Sequence, residues 1–228
     1  MKLYFLLVLL ITVGCQTSNS PSTSDVRVFN GVKAGADELK HVLDIGTCTG
    51  SFIGPHTILT AAHCTNTLNK PGFKLGKITY KWTCYKHPRY NSKTLLNDYA
   101  LCITKVKAPS SIPLASVDVR TPVAIGEEVL LAGYGRPNSG ELYYGATTLD
   151  EYRGQDLILD SQVHLGSGDS GGSAFRLGTL DVIGIQSRTF VSSRRSILNR
   201  TYDGEFRWFL ADIALKHRLS ICGFTRKC

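Results

Sequence analysis

The sequence predicts an all-β protein that ends in one α-helix. Two observations carry this reading. Short apolar segments recur along most of the 228 residues, each bounded by Gly, Pro, Asn or Ser, which is the pattern of strands joined by turns. A single later segment has helical spacing instead. In chain order the strand segments are Ser51-Phe52-Ile53-Gly54, Ile58-Leu59-Thr60, Leu101-Cys102-Ile103-Thr104, Glu128-Val129-Leu130-Leu131-Ala132, Asp156-Leu157-Ile158-Leu159 and Leu180-Asp181-Val182-Ile183-Gly184-Ile185. The helix runs from Glu205 to His217. Phe206, Phe209, Leu210, Ile213 and Ala214 fall on one face, Gly204 precedes them and basic residues close the segment. Its aromatic stripe reads as core, not as a cofactor site.

Hydrophobic residues are 43% and charged ones 19%, as in an ordinary globular protein. The length suits one large domain or two small ones. No repeat or low-complexity stretch divides it. The formal net charge of +8 reads first as a solvated basic surface. The sharper reading is an affinity for acidic substrates or anionic cell surfaces. No nucleic-acid motif accompanies the charge, so nucleic acid is not an expected partner.

The N-terminus reads as an export signal. Met1-Lys2 is a short positive start, and Leu3 to Val13 is an apolar run too short to span a bilayer as a stable helix. Gly14-Cys15 follows. Two readings stand here. One is a bacterial-type lipoprotein signal with Cys15 lipidated, although Thr12 stands where Leu is usual. The other is an ordinary secretory signal cut nearby. Either predicts an exported protein, secreted or held at the periplasmic or outer-membrane side through Cys15. Residues 1–15 are then signal, and Gln16 to Arg27 a Ser/Thr/Pro-containing spacer or propeptide.

The chemistry concentrates in Gly168-Asp169-Ser170-Gly171-Gly172. Small residues around Ser170 leave its Oγ open and let backbone N–H groups turn toward one point, where an oxyanion could sit. A serine needs a histidine base held by a carboxylate to act as a nucleophile. Thr60-Ala61-Ala62-His63-Cys64 offers the base and Asn97-Asp98-Tyr99-Ala100-Leu101 the carboxylate. A lone histidine is more often a satisfied core group, and a lone aspartate a turn or cap. Three motifs in the order His, Asp, Ser make those readings weak.

Together these motifs resemble the chymotrypsin/trypsin family of serine endopeptidases, over roughly residues 28 to 215. Further segments agree. His87-Pro88-Arg89-Tyr90-Asn91 resembles the approach to the family's aspartate. Leu131-Ala132-Gly133-Tyr134-Gly135 resembles its Gly-Trp-Gly strand end, with Tyr134 for Trp. Gly184-Ile185-Gln186-Ser187 resembles the strand lining the substrate cleft. The resemblance implies two packed six-stranded antiparallel β-barrels within 28–228, joined near 108–120, with the active site between them. His63 and Asp98 would come from the first barrel and Ser170 from the second.

The resemblance also implies roles. Ser170 is the expected nucleophile, His63 the general base and then acid, and Asp98 the group that fixes the histidine tautomer. The amides of Gly168 and Ser170 are the expected oxyanion hole. Asp169 would pair with a new N-terminal amine. Arg27-Val28-Phe29-Asn30-Gly31 resembles the family's activation site, so a cut after Arg27 by an activating protease would free Val28. If Cys15 is lipidated, the same cut releases the anchor. The Val28 amine, ordinarily near a pKa of about 7.7–8, would be raised by the pair, and activity would fall as pH rises through the raised value.

Seven cysteines in an exported chain suggest disulfides. Lipidated Cys15 would account for the odd one. Cys48 and Cys64 match the family's bridge beside the histidine; its loop of about 15 residues is worth about 3 kcal/mol. Cys84 and Cys102 would sit on neighbouring strands of the first barrel, leaving Cys222 and Cys228 for the C-terminal tail. The cysteines lack a close C-x-x-C pair, so zinc is not expected. No acidic cluster argues for calcium, and the mechanism requires no metal or cofactor.

Specificity departs from trypsin. His164 stands six residues before Ser170, where trypsin-like members carry Asp. Gly166 stands where the family commonly has cysteine. After Ser187 the usual Trp-Gly becomes Arg188-Thr189, and Arg194 and Arg195 follow in a loop that borders the pocket. His164, Ser187, Arg188 and Thr189 would form a polar, cationic rim. The expectation is a P1 residue other than Arg or Lys, with acidic and neutral side chains both open. The partners expected are protein or peptide substrates, acted on by a monomer. Two rival functions remain. One is a catalytically silent binding module of the same fold. The other is an α/β-hydrolase esterase, which the triad order and the absence of Gly-x-Ser-x-Gly oppose.

Overall fold

Strands of two to eleven residues build two antiparallel sheets in a computed structural model that describes residues 28–67, 72–135, 140–190 and 192–228. The export signal, Cys15, the spacer and Arg27 lie outside the described residues. A two-residue strand, β1 (Val32–Lys33), comes first. The first barrel contains β2 (Val42–Asp44), β3 (Thr49–Gly54), β4 (Thr57–Thr60), β5 (Gly72–Leu75), β6 (Ile78–Lys86) and β7 (Ala100–Thr104). Their order is β2-β3-β4-β7-β6-β5, a barrel that is nearly closed.

The second barrel contains β8 (Glu128–Gly133), β9 (Tyr143–Arg153), β10 (Asp156–Leu159), β11 (Ser173–Arg176), β12 (Val182–Phe190) and β13 (Arg195–Arg200). The ring β9-β10-β13-β12-β11-β8 closes through pairing of β8 with β9, and β1 adds to the outside of β9. The fold is thus two six-stranded antiparallel barrels, one closed and one nearly closed, with a C-terminal helix.

Residues between β7 and β8 carry the chain across. Val117 bridges Val182 of the second barrel, and its amide donates to Cys222 O at 2.9 Å. One apolar cluster fills the first barrel and continues into the second through Leu130, Phe175, Val182 and Ile185; another fills the far side of the second barrel. His41 and Phe175 meet edge to face across the junction, with centroids 5.3 Å apart.

After the one-turn α1 (Cys64–Thr67), the remaining helix is α2 (Gly204–His217). Asp203 caps it by accepting from Phe206 N at 2.7 Å. Phe206, Phe209, Leu210, Ile213 and Ala214 are its buried face. Phe206 packs on Tyr99 at 4.8 Å and Phe209 on His87 at 5.2 Å, so the helix braces the segment that carries Asp98.

Three disulfides pin the fold: Cys48–Cys64 beside His63, Cys84–Cys102 across β6 and β7, and Cys222–Cys228 in the tail. They fit export to an oxidising compartment. One sequence boundary differs. Leu180 has a left-handed φ of 58°, its amide bonds back to Arg176 O, and the strand starts at Val182. Leu180 and Asp181 therefore belong to a turn, which their apolar and polar character does not reveal.

Candidate active site

His63 follows β4 on a tight turn. Ala61 and Ala62 are fully buried, and their small size lets the turn pack beneath the ring. The α1 turn begins at once, with Asn66 N donating to His63 O. Asp98 is delivered just before β7. Asn97 takes a left-handed φ of 54°, which asparagine tolerates, and turns the chain inward.

Asp98 is fully buried and accepts three hydrogen bonds: His63 N to Oδ1 at 2.8 Å, His63 Nδ1 to Oδ2 at 2.7 Å, and Ser187 Oγ to Oδ2 at 2.7 Å. Its own amide donates to Asn199 Oδ1 at 2.9 Å. The His63 side chain remains one-quarter exposed at the cleft. The Cys48, His63 and Cys64 side chains cluster, but both sulfurs are in a disulfide and are not thiolate ligands.

Ser170 sits on the facing loop before β11. Gly168 and Gly171 have φ of 101° and 82°, and a Cβ on Gly171 would meet Thr60 Oγ1 at 2.1 Å, so the loop needs glycine there. Backbone bonds lock it: Gly171 N to Gln186 O at 2.7 Å, Gln186 N to Gly172 O at 2.9 Å, and Thr49 N to Ser170 O at 2.8 Å. Thr49 Oγ1 donates to Gly168 O at 2.9 Å. The amides of Gly168 and Ser170 donate to nothing among the described residues. The Ser170 hydroxyl makes no hydrogen bond to His63, a gap common before substrate tightens such a pair.

Asp169 is fully buried behind the loop. It accepts Gly135 N on Oδ1 and Gly166 N on Oδ2, each at 2.8 Å, and the Val28 amide also points to it. Burial pushes its carboxyl up to about 6, and the three amides only partly offset that. Val28 is buried, and Phe29 forms an antiparallel bridge with His164.

Beside Ser170 lies a cavity of about 790 Å³, bordered by Phe29, His164, Ser167, Arg188, Thr189 and Arg194. The sequence put Ser187 on its rim. The structure turns Ser187 to Asp98 instead, because the β12–β13 register shifts between Gln186 and Arg188 and the bulge re-aims the side chain. Arg188 borders the cavity, but its guanidinium is bound to Asp156 at 2.5 Å. Thr189 Oγ1 donates to Leu165 O at 3.1 Å. His164 stacks on Phe29 with centroids 4.5 Å apart and planes 5° apart. Burial, with the Arg194 charge acting in the same direction, holds its imidazole below the ordinary range.

Four contributors escaped the sequence reading. Gln186 pins the Ser170 loop through Nε2 to Ala132 O and Ser173 O. Asn199 holds the Asp98 backbone, Thr49 ties β3 to the loop, and Phe29 walls the cavity. Each acts across a long stretch of sequence, and no local pattern marks it.

The family model described as Trypsin matches residues 32–198. Trypsin-3 of Homo sapiens is 26% identical over 168 residues, covering 65% of this chain and 53% of that protein. Brachyurin of Leptuca pugilator is 30% identical over 132 residues, 50% of this chain and 58% of that protein. The chain thus spans little more than half the length of these curated relatives. A structure of human heparin binding protein superposes with a TM-score of 0.67 at 17% identity, over 82% of this chain and 96% of that one, a likeness of fold. A bacterial type of the family gains no support from these relatives.

Proposed function

The chain belongs to the trypsin family, and on that premise we propose that it is a serine endopeptidase acting through an acyl-enzyme. Ser170 Oγ attacks the scissile carbonyl while His63 Nε2 takes its proton. Asp98 keeps the other proton on Nδ1 and stabilises the imidazolium. The amides of Gly168 and Ser170 receive the oxyanion. His63 then protonates the leaving amine, and water, deprotonated by the same ring, releases the acyl group and restores Ser170. The observation that carries this reading is the Asp98 carboxylate, wholly buried yet joined to the His63 ring at 2.7 Å on the cleft facing Ser170.

The precursor is cut after Arg27 by another protease, freeing Val28 to pair with Asp169. The Val28 amide already turned to Asp169 supports this. The chain is exported, as a secreted monomer or held by lipidated Cys15 until the cut. Its pocket disfavours Arg and Lys at P1, because no carboxylate borders the cavity among the described residues. The enzyme therefore does not process its own Arg27 bond efficiently.

An active-site serine phosphonate tests the reading. The active form should be labelled at Ser170 and carry Val28 as its N-terminus by mass spectrometry, and Ser170→Ala should abolish both labelling and peptide cleavage. An unlabelled, inactive protein with an intact fold would favour the silent binding module. Activity in a form still carrying residues 16–27 would refute the activation step.

A further inference from the structure

We propose that Arg194 selects an acidic side chain in the pocket beside Ser170, so that the P1 residue is glutamate or aspartate. This deepens the endopeptidase reading and rests on it for the cut itself.

The charges around the cavity single out one residue. Arg188 is bound to Asp156, and Arg195 forms an ion pair with Asp150. Arg194 lies between them on the exposed loop into β13, held with a left-handed φ of 53°. It borders the cavity and has no ion pair or hydrogen bond among the described residues. Among the described residues no Asp or Glu borders that cavity. The site therefore presents one uncompensated cation and no anion.

The other end of the cavity carries an imidazole and not an anion. His164 Nδ1 is buried without a partner, in a ring fixed by stacking on Phe29. Arg194 and His164 both border this one cavity. An apolar side chain entering it sets no charge against Arg194 and forgoes a charge-assisted hydrogen bond there. A lysine or arginine side chain adds a like charge. A carboxylate neutralises Arg194 through a charge-assisted hydrogen bond. Glutamine offers the same shape without the charge, which makes it the proper control.

Peptides differing only at P1 provide the test. For the activated enzyme, kcat/KM with Glu or Asp should exceed that with Gln by about 10- to 100-fold, the range for a hydrogen bond to a charged group. Arg194→Gln should bring the Glu-to-Gln ratio close to one, Arg194→Lys should keep a preference for Glu, and Arg194→Glu should shift it toward Lys. The same peptides binding to the Ser170→Ala protein, followed by fluorescence anisotropy, should rank in the same order. A Glu-to-Gln ratio near one in the parent, or one that Arg194→Gln leaves intact, overturns the proposal and spares the endopeptidase reading. Failure of the phosphonate to label Ser170, with Glu peptides still preferred in the binding assay, overturns the endopeptidase reading and upholds the pocket assignment.

Discussion

Asp98 and Asp169 are both fully buried, one on each side of the cleft, and the two barrels satisfy them differently. Asp98 belongs to the first-barrel side. Its acceptors meet the His63 backbone, the His63 ring and the Ser187 hydroxyl. Every partner is in place once the chain has folded. Asp169 belongs to the Ser170 loop. Its partners are backbone amides of Gly135, Gly166 and Val28, with no cation beside it, and burial leaves its carboxyl raised to about 6. The glycines around it are required by contact: a Cβ on Gly133 would stand 2.2 Å from Asp169 Oδ1. The first carboxylate is finished by folding. On the proposed activation, the second would gain a charged partner, the Val28 amine, only when the chain is cut. In the uncut chain the Ser170 loop is already bonded in place, and what the proposed cut would change at Asp169 is charge, an amine in place of the Val28 amide.

The largest effect should come from the finished side. In the proposed mechanism Asp98→Asn keeps the size of the side chain but presents an amide to His63 Nδ1 and favours the wrong tautomer. We expect kcat/KM of the activated enzyme to fall about 10⁴-fold, with circular dichroism unchanged and Ser170 labelling slowed in parallel. An activity loss no larger than the accompanying loss of thermal stability would make Asp98 a structural brace for β7 and would erase the distinction from Asp169.

The unfinished side should show itself in pH. In the uncut chain the folded carboxyl of Asp169 stands at about 6, above its ordinary 3.8, so the folded form keeps a proton that the unfolded form has lost. Its stabilising contribution is full below about pH 4, declines as pH rises to about 6 and is flat beyond; the whole decline amounts to about 3 kcal/mol. Melting curves of the uncut Ser170→Ala chain should therefore fall across pH 4–6, and Asp169→Asn should remove that slope. After the cut, the Val28 amine lowers the carboxyl and the slope should flatten or reverse. An identical slope in cut and uncut chains would mean that Val28 never reaches Asp169 as a charged partner.

The same contrast decides what could be read from the sequence. The strands β3, β4, β7, β8 and β10 are short, mostly buried and built around an apolar run, and α2 has one clean face, so the sequence pattern finds them. The longer β6 and β9 mix Thr, Tyr, Lys and Asp with few apolar residues, because much of each stays half-exposed, and no alternation marks them. The motifs around His63, Asp98 and Ser170 are local, and the fold brings the first two into contact. What holds them is not local. Asn199 reaches Asp98 across 101 residues and Thr49 reaches Gly168 across 119. The Ser187 bulge depends on the register with β13, and the pairing of Arg188, which still lines the cavity, depends on Asp156 across the barrel. Such partners are chosen by topology, and a hydroxyl or amide in the sequence does not announce which.

Thr49 offers the smallest but most discriminating change. It sits fully buried on β3 of the first barrel, donates to Gly168 O at 2.9 Å and accepts from Tyr134 N at 3.0 Å. Valine has nearly the same shape and neither bond. Thr49→Val leaves one carbonyl and one N–H unpaired in the interior, at a cost of about 1–3 kcal/mol. If the first barrel merely abuts the Ser170 loop, the melting temperature should drop and activity at low temperature should be kept. If it also aims the Gly168 peptide, kcat should fall roughly tenfold, a loss of about 1.4 kcal/mol, with KM little changed, in cut enzyme whose fold is still intact. The second outcome is expected, because the Gly168 carbonyl bonded to Thr49 and the Gly168 amide proposed for the oxyanion flank one residue, and freeing the first loosens the second.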